Sequence, residues 1–458
     1  MANNVTELIN ENELRYLEQL KEFVRIPSVS ADPDRKKEVL SCANWVRDEL
    51  ESIGLDNSEV METDGHPVVY AEWVRDEKKP TALIYGHYDV QPEDPVELWD
   101  SPPFEPTVRK GGLYGRGTVD DKGQILLHMK AVEALMQSEG SLPINIKFII
   151  EGEEEIGSPN LVPLIKNNVE KLRADLVLIS DSHMFAKGIP SICYGLRGLV
   201  YFELTVEGTK SDLHSGTFGG AVINPANALA GIISKLKDED GRIQIPGIYD
   251  DVLELTDVER DAFEKLPFDN EKYREALGAP TLFGEKGFST LERTWARPTL
   301  DVNGIISGYT GEGAKTVIPA KASAKISLRL VPNQVPLKIE ELFKSYIDEI
   351  SPDAVKVTVE SLHNGMPYIS PTDNPIFDSV REALKKGFGA DAVLMREGGS
   401  IPIVTDFAEI LNTPVILIGF GLPDENAHAP NEWIDLENFQ KGILSMAYLY
   451  QGLAKDGV

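Results

Sequence analysis

Two histidines and a set of acidic residues fall at one kind of place in this chain, just beyond stretches of apolar, β-branched sequence. His87 follows "TALIYG" in "GHYD". Glu153, Glu154 and Glu155 follow "INIKFII", Asp181 ends "ADLVLIS", and His428 lies in "DENAHAPNE", a few residues beyond "TPVILIGFG". A further pair, Asp120 and Asp121, precedes a helical pattern in "GRGTVDDKG". Carboxylates packed side by side repel, and each one drawn out of water costs free energy unless something positive sits among them. Imidazole nitrogens and carboxylate oxygens together make the donor set of a divalent cation, and this many donors suit two. Taken singly, each residue has an ordinary reading: a loop histidine, a solvated acidic run, an N-cap before a helix. His66 and His128 have only such readings, while His183, two residues past Asp181, offers a spare donor. Ligand-type side chains at four strand ends at once favour a metal site.

The elements that must position these residues are legible in outline. Residues 81–90, 144–155, 174–183 and 413–421 are nearly continuous in apolar residues, as strands buried on both faces are. Helical patterns separate the early ones. "DKGQILLHMKAVEALMQSEG" places Ile125, Met129, Val132 and Met136 on one stripe, with Gly140 as a C-terminal stop. Strands alternating with helices predict an α/β fold, with a mainly parallel sheet in an α/β/α sandwich. In such sheets ligands bind beyond the carboxyl ends of the strands, where the acids and histidines collect.

The middle of the chain differs. "GLVYFELTVEG" (198–208) and "AKASAKISLRLVPN" (320–333) alternate strictly, as strands with one wet face do. In the second, Ala324, Ile326, Leu328 and Leu330 share a face, and Lys325, Ser327 and Arg329 point the other way. With helical "PANALAGIISKLKD" and a polar, irregular stretch around 248–300, this predicts a smaller α+β domain over 197–370. It would be inserted into a larger one built from 1–196 and 371–458, with the return crossing in "NGMPYISPTDNP". Two domains are also the default for 458 residues.

Composition excludes more than it identifies. With 45 basic against 74 acidic residues the net charge is −29, which repels nucleic acid and anionic membranes. The N-terminal stretch reads as an amphipathic helix, without the basic start and apolar core of a signal peptide. No run approaches the length of a membrane span. Cys42 and Cys193 read as free buried thiols, and the expected compartment is the cytoplasm.

In order along the chain, "GHYDVQP", "LYGRGTVDDKG", "EGEEEIGS", "ISDS", "DLHSG", "AKTVIPAK", "LRLVPN", "REGGSIP" and "DENAHAPNE" resemble the motifs of the aminoacylase/carnosinase family of dinuclear metallopeptidases. The likeness is to its carnosinase branch, the cytosolic dipeptidases. It implies a catalytic larger domain and an inserted lid and dimerisation domain. It implies two divalent ions, zinc or manganese, bridged by Asp120, with His87 and Asp181 completing one shell and Glu155 and His428 the other. Asp89 would buttress His87, and Glu154 would be the general base for the metal-bridging water. The Asp120–Asp121 peptide would be cis. His214 in "DLHSG" would stabilise the oxyanion in the other subunit of a homodimer. Arg329, on its strand's wet face, suits the substrate's carboxylate. The "GGS" turn, with Gly399 and Ser400, can offer backbone N–H groups, and Thr316 is a further candidate.

The expected function is metal-dependent hydrolysis of dipeptides. The alternative within the family is an N-acyl-amino-acid amidohydrolase of deacetylase or desuccinylase type. A catalytically silent scaffold protein is opposed by a competent residue at every matched position. Dinuclear phosphoester hydrolysis is opposed by acid-rich loops that lack cations to clamp a phosphate.

Overall fold

The architecture is that of a computed structural model and is described for residues 5–456. The chain forms two compact units. The larger runs up to Tyr194 and adds Ser370–Met395 and the chain from Ile403; the smaller comprises Gly195–Ile369 and Arg396–Pro402. The fold is α/β, with a large mixed sheet and helices.

The sheet of the larger unit contains β1 (Asp56–Met61), β2 (Val68–Trp73), β3 (Thr81–His87), β4 (Asn145–Glu151), β5 (Leu176–Ile179), β6 (Ser191–Leu196) and β7 (Val415–Leu417). Their order is β1-β2-β4-β3-β5-β7-β6. The central strands β4, β3, β5 and β7 run parallel, and β1, β2 and β6 join antiparallel at the flanks. These four are the apolar runs that the acids and histidines follow. Their residues are almost wholly buried, which explains why the sequence shows no alternation there. Register aligns the strand ends: His87 lies opposite Glu151, and Tyr85 opposite Ile179.

The helix Lys122–Glu139 departs from the stripe expected of it. Every residue from Lys122 to Leu135 is buried, because the helix packs on β3 and also against the helices Val5–Glu11, Glu13–Val24 and Leu436–Asp456. A one-sided pattern was the wrong template for a helix covered all round. Met136, placed on that stripe, is only partly buried, and Gly140 ends the helix at φ +73°. Gly86 admits the start of this helix: a Cβ there would lie 2.5 Å from Ile125 Cγ1 and 2.6 Å from Asp121 Oδ2. The N-terminal amphipathic pattern forms two helices, Val5–Glu11 and Glu13–Val24, which bury Val5, Ile9, Tyr16, Leu20 and Phe23. Both cysteines are buried, and among the described residues neither forms a disulfide. Among the described residues, no helix is long and apolar enough to cross a membrane.

The smaller unit has a four-stranded antiparallel sheet in the order Thr299–Ser307, Lys321–Leu330, Gly198–Glu207, Lys356–Gly365. The helices Pro225–Ser234 and Pro336–Ile350 cover one face. Val200, Phe202, Leu204 and Val206 pack there with Ala324, Ile326 and Leu328, and Phe202 stacks on Phe343 at 4.2 Å. Each of the Val, Leu, Ile and Phe side chains contributes about 1.5–3 kcal/mol by leaving water. The stretch read as irregular contains three short helices, Asp257–Glu264, Asn270–Ala276 and Thr290–Trp295, started by the side chains of Thr256, Asp269 and Ser289.

Candidate metal centre

The candidate ligands all belong to the larger unit. His87 is the last residue of β3 and is fully buried. Its Nδ1 lies 3.1 Å from the Asp89 carbonyl and 3.4 Å from Asp89 Oδ1, which fixes the ring and turns Nε2 outward. The Asp89 carboxylate also accepts the backbone N–H groups of Glu154 and Glu155, each at 3.2 Å. One buried carboxylate thereby ties the end of β3 to the glutamate loop after β4.

That loop sorts its three glutamates. Glu153 turns aside, accepting the His66 N–H at 2.9 Å and the Asn160 side-chain amide at 2.9 and 3.1 Å. Glu155 Oε2 lies 3.2 Å from His428 Nε2 and accepts from Gln91 at 2.8 Å. Glu154 interacts electrostatically with His87, Asp181, Glu155 and Asp120.

Asp120 is central. Its Oδ1 is 3.0 Å from His87 Nε2 and its Oδ2 is 2.8 Å from His428 Nε2; the Asp120–Asp121 peptide is cis, as expected. His87, Asp120 and Asp181 form one group, and Asp120, Glu155 and His428 another; within each, one donor atom per residue lies within 4.8 Å of the rest. Asp181 Oδ1 is 3.9 Å from His87 Nε2. His87 Nε2 is buried, and its 3.0 Å approach to Asp120 Oδ1 lacks the geometry of a hydrogen bond. His183 joins neither group. Asp121 does not cap its helix; its Oδ1 is buried without a partner. His66 Nε2 meets the Ser30 carbonyl at 3.1 Å, and His128 lies between the Tyr450 and Ser180 hydroxyls, both at 2.7 Å.

The electrostatics follow from burial and crowding. Burial, tempered by His87 and reinforced by Asp181, pushes the Glu154 carboxyl well above the usual range, and burial with Asp120 raises Glu155. Burial would also raise Asp120, but the adjoining His428 and His87 imidazoles outweigh it and hold this carboxyl low. Asp120 and Glu155 lift His428 to about 11; His87 rises well above its ordinary value although burial opposes it. Two imidazoles thus face four carboxylates: Asp120, Asp181, Glu154 and Glu155. A pair of divalent cations would reverse that imbalance and free the imidazoles to act as neutral ligands. The donor set, the shared carboxylate and the unpartnered Nε2 therefore fit two such ions.

Sequence reasoning missed how Asp120 and His428 are brought together. The strand Gly112–Tyr114 pairs with Trp433–Asp435, so the loop leading to Asp120 runs beside the loop that carries His428. Glu432, buried, accepts the N–H groups of Gly117, Val119 and Asp120 at 2.9, 3.0 and 3.2 Å and pairs with Arg116 at 2.7 Å. Glu425 accepts from Leu422 N and Asp435 N, both at 2.7 Å, and closes the base of the His428 loop. Both glutamates stand in "DENAHAPNE"; two acids flanking a candidate ligand by three and four residues were the available signal.

The remaining candidates lie in the smaller unit. Arg329 Nη1 donates to Ser400 Oγ at 2.8 Å, and Ser400 Oγ donates to the Arg197 carbonyl at 2.5 Å. Gly399 presents its carbonyl to Arg197 N at 3.1 Å. His214 and Thr316 are exposed neighbours on the ribbon formed by Leu213–His214 and Val317–Ile318. His214 Nδ1 accepts from Gly216 N at 3.0 Å, capping a short helix.

The chain is similar to known proteins over nearly its whole length. The chain is 37% identical over 461 residues to the Cys-Gly metallodipeptidase of Schizosaccharomyces pombe, with 97% of each chain covered. Among solved structures it resembles human carnosine dipeptidase 1, with 33% identity, a TM-score of 0.85 and 98% of both chains covered. It also resembles an M20 family metallo-carboxypeptidase from Sulfolobus solfataricus, with 36% identity and a TM-score of 0.86, covering 96% of this chain and 99% of the other. Residues 83–451 match peptidase family M20/M25/M40, and the chain belongs to that family.

Proposed function

We propose that this peptidase is a metal-dependent dipeptidase with a dinuclear centre. The observation that carries the reading is Asp120, whose two oxygens face the two imidazoles of separate ligand groups, with Glu154 interacting with members of each group. His87, Asp120 and Asp181 would hold one ion, and Asp120, Glu155 and His428 the other. When bound, two zinc or manganese ions would acidify a water molecule and polarise the scissile carbonyl. Glu154 takes the proton from the attacking water and returns it to the leaving amine, a task suited to a carboxyl whose proton affinity burial has raised. Asp89 keeps the His87 ring in place. Arg329, Ser400 and Gly399 serve the substrate's terminal carboxylate, with Thr316 nearby in role. His214 acts as oxyanion donor across the interface of a homodimer, in the cytoplasm.

The names of the compared proteins support a dipeptide substrate: one acts on Cys-Gly and another on carnosine. A panel of Xaa-Gly and β-Ala-His dipeptides, longer peptides and N-acetyl amino acids, assayed with each metal after chelator stripping, tests it. The expected result is cleavage of dipeptides in preference to the rest. Turnover of N-acetyl amino acids alone would overturn it, and preference for longer peptides would move it toward a carboxypeptidase.

A further inference from the structure

The smaller unit holds two partly buried guanidiniums that no carboxylate neutralises. Arg197 directs Nε to the Gly398 carbonyl at 3.0 Å and Nη1 to Thr299 Oγ1 at 3.4 Å. Thr299 is the residue opposite Arg329 across the sheet, and Ser400 touches both arginines, through its hydroxyl to the Arg197 carbonyl and through Arg329 Nη1. Neither guanidinium has a carboxylate oxygen within ion-pair distance among the described residues. The neighbouring Arg297, by contrast, is held in two-point contact by Glu285 at 2.8 and 2.9 Å. Asp301, the one acid acting on both Arg197 and Arg329, lies 3.8 Å from Lys237 instead. Arg197, Thr299 and Asp301 line a cavity of about 280 Å³.

Two like charges held together and drawn partly out of water are an unfavourable arrangement in the free protein. Burial, and then Arg329, lower the Arg197 guanidinium to about 10. The chain carries an excess of acid, −29 overall, yet Asp301 and Glu285 at this cavity pair with Lys237 and with Arg242 and Arg297, not with Arg197 or Arg329. Gly398 is shaped to the same end: a Cβ on it would lie 2.9 Å from Arg197 Nη2. An anion between the two side chains would remove the repulsion and find guanidinium N–H donors beside it.

We propose that Arg197 is a second cation of the receiver for the substrate's terminal carboxylate, beside Arg329. The inference rests on the assignment of Arg329 and Ser400 to that carboxylate and adds a specificity-determining residue to it. A two-cation receiver admits substrates with a free C-terminus and rejects their amides, because an amide leaves the positive pair uncompensated.

Calorimetric titration of the chelator-stripped protein with alanylglycine and with alanylglycinamide separates the cases without turnover. Wild type is expected to favour the acid. Arg197→Met should weaken acid binding by about ten- to a hundredfold, the range for one charge-assisted contact, and leave amide binding unchanged. Arg197→Lys should keep part of the preference, since it restores the charge but not the fork. With the metal-loaded enzyme, Arg197→Met should raise KM for the dipeptide and leave kcat within about a factor of two, as loss of uniform binding does. If Arg197→Met alters acid and amide alike, or neither, the inference falls. If Arg329→Met abolishes the preference and Arg197→Met does not, the Arg329 reading stands and Arg197 is structural. A wild type that does not distinguish acid from amide overturns both.

Discussion

The two oxygens of Asp120 face surroundings built in different ways. Oδ1 meets His87, whose side chain is 0% exposed and sits at the end of a central strand. Oδ2 meets His428, whose side chain is 56% exposed and whose backbone adopts φ +62°, in a loop with Asn426 and Asn431 also left-handed. The first half inherits its precision from the register of a parallel sheet. The second depends on a loop that Glu425 and Glu432 pin at its base. Rigid elements hold donors more exactly than loops do, so the His428 half should be the easier one to loosen.

The largest effect is expected at Glu154, which belongs to neither ligand group. Glu154→Ala should lower kcat by about 10²–10⁴ while keeping its metal, the range for losing a positioned general base. Glu155→Ala should instead lose one equivalent of metal. Elemental analysis and kinetics on the two variants decide the register of the glutamate loop, and the reverse pattern would show it is shifted by one.

Glu432→Gln sharpens the contrast between the halves. It strips the countercharge from buried Arg116, at a cost of about 3–5 kcal/mol in stability, and frees the backbone at Asp120. The ion on the His428 side should bind about 10–100-fold more weakly, as losses of supporting contacts do, and the other, which shares Asp120, should weaken less. Calorimetry with zinc or manganese would read this as one of two steps weakened more than the other. Equal weakening of both would erase the distinction drawn here.

A smaller effect comes from His128, far simpler in its surroundings than the site histidines. Burial between two hydroxyls holds it neutral to about pH 3, while the unfolded chain takes up the proton near pH 6.5. The unfolded state therefore binds more protons between those values. Stability should fall with acidification across that window, by up to about 1.4 kcal/mol per pH unit, and be unaffected by His128 above it. Chemical unfolding of His128→Gln between pH 4 and 6 should show a shallower slope than wild type. An identical slope would place the linkage elsewhere.

The four buried strands were legible because short, continuous apolar runs bounded by turns suit a strand covered on both faces. Their ends pointed to His87, Glu154, Glu155 and Asp181 as candidates. The pairing of Gly112–Tyr114 with Trp433–Asp435 was not legible, since strands of three residues leave no period to read. The return of Arg396–Pro402 to the smaller unit likewise has no local sequence signal, because "REGGSIP" reads only as a turn. The helices of residues 257–295 were missed although capping boxes mark two of them. Thr256 with Glu259 and Ser289 with Glu292 stand at the required spacing. The all-round burial of Lys122–Glu139 is a tertiary fact, and its mixed sequence of Lys, His and Gln gave no hint of it.

The central claim is that a single carboxylate unites two cation sites. Calorimetric titration of chelator-stripped wild type and Asp120→Ala with zinc or manganese tests it most directly. Wild type should bind two equivalents per chain, and Asp120→Ala should lose both steps or weaken both sharply. One equivalent in wild type, or two that survive Asp120→Ala unchanged, would contradict it.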